Sequence, residues 1–172
     1  TLISSNDKLD SSLLTANDNL YKNRRYNINL NYSYADTSGH ELNIDADQTY
    51  FKNTNVSNLA TQYFDKNYQQ YDQTANELDM ATRIRIYALK ADYVQTLKSW
   101  KSSIETGIKI SHVQTENNLQ ASVLKGNSMQ PDTGRSNLFT YNEYVYAAYF
   151  SIRKDIGKFR VQAGVRWENT KA

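Results

Sequence analysis

The stretch 139-FTYNEYVYAAYFSIRKDIGKFRVQAGVRWENT-170 decides the fold. It reads as two β-strands, Phe139–Lys154 and Phe159–Thr170, joined by the turn Asp155-Ile156-Gly157-Lys158. Side chains along a strand point alternately to opposite faces. In the second strand Phe159, Val161, Ala163, Val165 and Trp167 therefore share one face, and Arg160, Gln162, Gly164, Arg166 and Glu168 share the other. The first strand sets Tyr144, Tyr146, Ala148, Phe150 and Ile152 against Glu143, Val145, Ala147, Ser151 and Arg153. One apolar surface is thus backed by one polar surface, and the question for the whole chain is whether the apolar one faces protein or lipid.

Working outward, the same alternation recurs. Arg24–Ala35 alternates Tyr26, Ile28, Leu30, Tyr32 and Tyr34 with Asn27, Asn29, Asn31 and Ser33. Asp36-Thr37-Ser38-Gly39-His40 supplies turn residues. Glu41–Phe51 then places Leu42, Ile44, Ala46 and Tyr50 opposite Asn43, Asp45, Asp47 and Thr49. A strand over Thr82–Leu97 carries Tyr87, Leu89, Ala91 and Tyr93 on its apolar face and Lys90 and Asp92 on its polar face. Ile84 and Ile86 fall out of phase there, and a bulge near Ile86–Tyr87 would restore it. Lys98-Ser99-Trp100-Lys101 makes a tight connection to Ser102–Thr115, where Ile104, Thr106, Ile108 and Ile110 oppose Glu105, Gly107, Lys109 and Ser111.

Between these strands lie polar segments without clear periodicity. Residues 1–23, with Leu13-Leu14 as the only apolar island, read as a loop or a partial strand end. Lys52–Ala81 allows either a short helix or strand extensions near Val56–Tyr63, and Glu116–Leu138 holds the single proline, Pro131. The connections therefore alternate short (36–40), long (52–81), short (98–101), long (116–138) and short (155–158). In an antiparallel meander this sends every short turn to one end of the sheet and every long loop to the other. Long structureless loops are uncommon in compact soluble domains. Short turns at one end, long loops at the other, and strands alternating apolar-out with polar-in are the pattern of outer-membrane barrels. The expected fold is all-β: an antiparallel up-and-down meander of about six long strands, part of a larger transmembrane β-barrel.

Composition agrees. The 172 residues include 14 tyrosines and one proline, and mean hydropathy is −0.76. Tyrosine joins an apolar ring to a polar tip and suits strand faces and water–membrane boundaries. A net charge of +2, mixed along the chain, gives no nucleic-acid footprint. With no cysteine there is no disulfide scaffold and no thiolate metal site. No run of about 18 apolar residues marks a transmembrane helix. The sequence shows no initiating Met and no signal-peptide core, and begins and ends in mid-pattern, so it reads as a piece cut from a longer protein. Six strands cut from a larger barrel would carry two unpaired edges.

Three segments carry a family likeness: Asn27–Asp47 (NINLNYSYADTSGHELNIDAD), Ala91–Lys109 (ADYVQTLKSWKSSIETGIK) and Phe139–Thr170. The last is the most specific, with its Phe-x-Tyr-x-Glu opening, Ile-Gly-Lys turn and Gly-x-Arg-x-Glu close. Together they resemble the TonB-dependent-receptor-like outer-membrane barrel family abundant in Bacteroidetes. The resemblance implies residence in the cell outer membrane and a large barrel with an N-terminal plug, of which residues 1–172 would form one fragment. The implied partners are outer-membrane lipid, a plug domain and TonB reached through other parts of the protein, and an unidentified solute, with no nucleic acid. It carries over no functional residue, because the matching motifs are structural.

Chemistry is sparse. His40 and His112 stand apart from any carboxylate-rich motif and read as solvated loop or wall residues rather than a metal pair. Asp45 and Asp47 share a face and would suit an oxygen-ligand cation site, but polar lining of a barrel wall explains them without a ligand. Glu105 with Lys109, and Arg160, Arg166 and Glu168, read the same way. No Gly-rich phosphate loop, His-Glu-x-x-His or Ser elbow is present, and no cofactor, metal or catalytic residue is expected. Tyr26, Tyr34, Tyr50, Tyr87, Trp100 and Trp167, towards strand ends, suit an interfacial girdle. Tyr63, Tyr68 and Tyr71 either pack on their neighbours or touch a ligand. The expected function is the wall of a solute-uptake barrel. The other readings are a non-transporting surface β-protein with binding loops, and a soluble antiparallel sheet whose apolar face is buried.

Overall fold

The computed structural model describes residues 2–5 and 8–172, with side chains from Asp10 onward. Its backbone forms one eight-stranded sheet. The strands are β1 (Leu2–Ser5), β2 (Lys8–Ala35), β3 (His40–Asp65), β4 (Gln70–Leu97), β5 (Ser102–Lys125), β6 (Ser128–Pro131), β7 (Asn137–Ile156) and β8 (Phe159–Lys171). Their order across the sheet is β1-β2-β3-β4-β5-β7-β8, with the short β6 paired to β5. Sequence neighbours thus lie side by side, as in an up-and-down meander. Six of the strands are long, in agreement with the sequence, and the terminal hairpin keeps perfect register from Ile156↔Phe159 to Tyr144↔Lys171.

The turns follow from their residues. Gly157, at φ 61°, opens a two-residue turn between Ile156 and Phe159, and Gly126, at φ 63°, does so between Lys125 and Ser128. Glycine at the first central position is what a type II′ hairpin turn requires. The β2–β3 turn is organised by Asp36, whose Oδ1 accepts from the backbone N–H groups of Ser38 and His40, each at 2.9 Å. Asp65 repeats the device, accepting from Asn67 and Gln69 at 2.8 Å. The left-handed position is held by Gly39 in the first turn (φ 91°) and by Tyr68 in the second (φ 61°).

The long polar connections expected over 52–81 and 116–138 are not loops. β3 and β4 continue through Lys52–Asp65 and Gln70–Ala81 as an extended hairpin, so Val56–Tyr63 is strand rather than helix. β5 likewise continues to Lys125, turns into β6, and is followed by a compact turn in which Arg135 and Ser136 donate to the Asp132 carbonyl at 3.2 and 3.0 Å. Most of the polar segment 1–23 is also strand, with residues 1, 6 and 7 outside the described set. These segments are held by backbone pairing and by polar side-chain contacts such as Thr15–Thr61, Ser57–Asn17, Thr82–Asn117 and Arg135–Asn76, none of which requires an apolar period.

Two compact units result. One comprises Arg25–Phe51, Ile84–Thr115 and Tyr141–Ala172; the other Thr1–Arg24, Lys52–Arg83 and Glu116–Thr140. The boundaries fall within a few residues of where the sequence passes from alternating to unpatterned. In the patterned unit the short connections come together at one end: Thr96 N–H donates to Gly39 at 2.7 Å, Lys98 Nζ to Thr37 at 2.9 Å, and Asp155 N–H to Lys101 at 2.9 Å.

The expected bulge near Ile86–Tyr87 is absent. Arg83 pairs with Glu116, Arg85 Nη1 donates to Gln114 Oε1 at 2.9 Å, and the Tyr87 and His112 rings stack. These contacts step by two on both strands, so the register is unbroken. What changes along this face is its chemistry, from apolar to charged, and not its phase. Ile84 and Ile86 accordingly lie on the face that also carries Lys90 and Asp92.

A buried core is nearly missing. Among the described residues the buried apolar side chains are Ala121 and Ala147 only. Leu30, Val165 and Phe159 are 70%, 69% and 76% exposed. A soluble sheet hides such a face against a second layer, and among the described residues no second layer covers this one.

Candidate functional site on the polar face

A sheet with one apolar and one polar face offers its chemistry on the polar side. Across β2 and β3 that side is a ladder of cross-strand pairs. Thr49 Oγ1 donates to Asn27 Oδ1 at 2.5 Å, Asn29 Nδ2 to Asp47 Oδ1 at 2.7 Å, and Asn31 Nδ2 to Asp45 Oδ1 at 2.7 Å. The Asp45/Asp47 pair singled out from the sequence is therefore engaged by side-chain amides, as a polar wall requires.

The ladder passes into a denser group on β4, β5 and β7. Lys90 forms an ion pair with Asp92. The Tyr149 hydroxyl donates to Asp92 Oδ1 at 2.6 Å and lies 3.3 Å from Glu105 Oε1, while Thr106 Oγ1 donates to the Tyr149 carbonyl at 3.0 Å. Room for the ring comes from Gly107. A Cβ there would stand 2.3 Å from Tyr149 Cε1 and 2.6 Å from Asp92 Oδ1. An aromatic ring laid across a strand glycine covers backbone that has no side chain of its own. Glu105 thus meets Tyr149 and forms no ion pair with Lys109. Further along, Arg166 pairs with Glu168 at 2.6 Å and Arg160 with Asp155 at 2.8 Å. The sequence pattern omitted Tyr149 and Asp155 from its polar sets; the strict alternation of β7 alone would have placed both there.

The two histidines do not meet. The Tyr93 hydroxyl donates to Gln95 Oε1 at 2.6 Å, and its oxygen lies 2.6 Å from His40 Nδ1. His112 is stacked on Tyr144, with centroids 4.3 Å apart and planes 4° from parallel, and on Tyr87 at 6.3 Å. Among the described residues no cluster of three or more His, Cys, Asp or Glu could hold a metal ion.

On the opposite face the aromatic residues mark the limits of the apolar band. Tyr26 and Tyr50 stack at 6.2 Å, and the Tyr87–His112–Tyr144 group continues the row. Tyr34 and Trp100 stand at the turn end. From Tyr26 to Tyr34 the strand rises roughly 26 Å at ~3.3 Å per residue. With a tilt of about 40°, that spans most of the ~25 Å apolar height of a membrane barrel. Trp167 is the exception to the expected girdle. It sits opposite Ala148, inside the band, where a large ring complements a small neighbour across the pair. Tyr63 and Tyr71 pack on each other at 6.3 Å, and Tyr68 is exposed at its turn.

Single-layer architecture, an exposed apolar band edged by aromatics, and a hydrogen-bonded polar face together define the wall of a membrane β-barrel. The profile of the outer membrane protein beta-barrel family matches residues 35–172, and the chain belongs to that family. It is a protein of the outer membrane. Comparison with curated proteins finds no match.

Proposed function

We propose that the chain forms part of the wall of a TonB-dependent-receptor-like barrel that takes up a solute, and that it is not an enzyme. The observation that carries this reading is the polar face. Its side chains satisfy one another across β2–β3 and β4–β5–β7, which keeps the wall rigid and leaves Arg153, Lys109 and the Arg166–Glu168 pair to meet a plug or a passing solute. In this reading the remaining strands, the plug and the TonB-contacting segment belong to other parts of the protein. The tight turns of the patterned unit face the periplasm.

A non-transporting surface protein is the second reading. It is favoured by the length of the polar strand extensions and by Tyr21, Tyr68 and Tyr71, which are exposed on them and are of a type enriched at recognition surfaces. The test is a binding measurement between the full-length protein in detergent and the periplasmic domain of TonB. Saturable binding supports uptake; no binding, together with a gene that encodes no plug, supports the surface module.

A further inference from the structure

Past its aromatic limit, the face of β2, β3 and β4 that carries the apolar residues turns basic. Tyr26 stacks on Tyr50 across β2 and β3. Thr49 with Asn27 and, further along the same two strands, Thr15 with Thr61 keep one register. The next pair on the face of Tyr26 and Tyr50 is therefore Arg24 opposite Lys52. Between β3 and β4, Gly39 lies against Thr96 and accepts from its N–H, and Ser57 and Leu59 line one cleft with Leu78 and Asn76. The same register sets Lys52 beside Arg83, which forms an ion pair with Glu116 of β5. Arg24, Lys52, Arg83 and Glu116 thus make one row across four strands, all within the unit of Thr1–Arg24, Lys52–Arg83 and Glu116–Thr140. Lys22 shares this face, two residues before Arg24.

The row is short of negative charge. Its one carboxylate, Glu116, is taken by Arg83, and Lys22, Arg24 and Lys52 form no ion pair among the described residues. Like charges directly opposite on neighbouring strands are destabilising. The next carboxylates on this face of β2 and β4, Asp18 and Asp79, stand at least four residues further along, roughly 13 Å away. The sheet does not supply the counter-charge that its register calls for, and an anion from outside relieves that cost.

Position says which kind of anion. Tyr26 and Tyr50, which edge the apolar band, are the next residues on the same face of the same two strands. Long cationic side chains just past an aromatic edge lay their stems on apolar surface and hold their charges at headgroup depth. Three cations on neighbouring strands span about 10 Å, which suits a headgroup with more than one anionic group. We propose that Arg24 and Lys52, with Lys22 and Arg83 beside them, bind the phosphate groups of a leaflet lipid at the Tyr26–Tyr50 edge of the band. Arg24 contributes a planar donor fork suited to phosphate, and Lys22 and Lys52 mobile point charges. Under the orientation proposed for the tight turns this leaflet is the external one, whose phosphate-bearing lipid is a glycolipid.

The test is a lipid titration of the full-length protein in detergent, read by native mass spectrometry. It uses diphosphorylated lipid A and the same lipid stripped of both phosphates, so the result does not depend on which leaflet the row faces. The expected result is a preference for the phosphorylated form that falls about tenfold in Arg24→Gln/Lys52→Gln, in line with the charge each cation brings to an anionic surface. That variant removes two opposed cations and breaks no ion pair. Lys22→Gln provides a second and smaller loss should the double variant fold poorly. Removing two cations at the hairpin ends, by Lys66→Gln/Lys125→Gln, leaves the preference intact. Equal retention of both lipids, an undiminished preference in the Arg24 and Lys52 variant, or an equal loss in the control overturns the proposal. So does displacement of the lipid by millimolar inorganic phosphate, which would assign the row to a free anion.

Discussion

Gly107 and Tyr149 are each intelligible only through the other. The ring occupies the space a side chain would take, and its hydroxyl is thereby brought to Asp92. Gly107→Ala must displace the ring or shift the strand, an overpacking change that costs about 1–3 kcal/mol. Tyr149→Phe keeps the ring and loses one hydrogen bond to a charged group, about 1.5–3 kcal/mol at most. Urea unfolding of the full-length protein in bilayers should therefore show both variants less stable. Asp36 is legible for another reason. The His40 backbone N–H, aided by those of Ser38 and Gly39, holds its carboxyl below the usual value, against a smaller opposing effect of desolvation. A depressed carboxyl stabilises the folded turn above its unfolded pKa, and that stability disappears as pH falls through the lower folded value. Asp36→Ala should thus destabilise the hairpin at neutral pH, and the difference from wild type should shrink in acid below about pH 4, measured by hydrogen exchange of the Ser38 and His40 amides. Asp65 builds the same turn, yet the sequence there carries no glycine to mark it. Tyr68 occupies the left-handed position there, where glycine would have signalled a turn.

At the scale of the element, alternation reports environment as much as secondary structure. β2 is 28 residues long, whereas a strand of about 9–11 residues crosses a bilayer. Its residues 26–34 alternate cleanly because each face meets a different medium. Further towards its start the strand continues with no pattern, since nothing apolar is needed there. This is why the strands of the patterned unit are legible to within a few residues while their extensions read as loops. The same cause explains the bulge that is absent: Ile84 and Ile86 fall out of phase with Tyr87 because the face of Tyr87 turns charged at Arg83 and Arg85, so the apolar residues there sit on the other face without any shift of register. The polar ladder was foreseen as wall lining, but its pairings, including Tyr149 with Asp92, depend on which strands are neighbours and no single strand reveals them. A substitution pair separates medium from strand propensity. Leu30→Arg, in mid-band, should cost about 2–4 kcal/mol, as charges on a lipid face do at the bilayer midplane. Leu59→Arg, on the unpatterned part of β3, should cost under about 0.5 kcal/mol, as surface changes do. Folding titrations in bilayers check both.

For the whole molecule, the physical problem is a sheet that exposes most of its large apolar side chains and buries almost none. Water would make such a sheet aggregate through its face, and through edges such as that of β8, which pairs only with β7. Lipid removes the first difficulty, in keeping with the family match over residues 35–172, and closure of a barrel is what removes the second. Because residues 1–172 contain no cysteine, a thiol engineered among them has no native competitor within this stretch, which makes the central claim directly measurable. Single cysteines placed at positions 26 to 34 and at positions 14 to 20 of the full-length protein would carry nitroxide labels in bilayers. Their collision rates with oxygen and with a water-soluble nickel complex report the medium at each site. The account predicts oxygen-rich, nickel-poor values at 28, 30 and 32, the reverse at 27, 29 and 31, and uniformly aqueous values from 14 to 20. Aqueous or protein-buried values at 28, 30 and 32 would contradict it, because the apolar face would then not meet lipid.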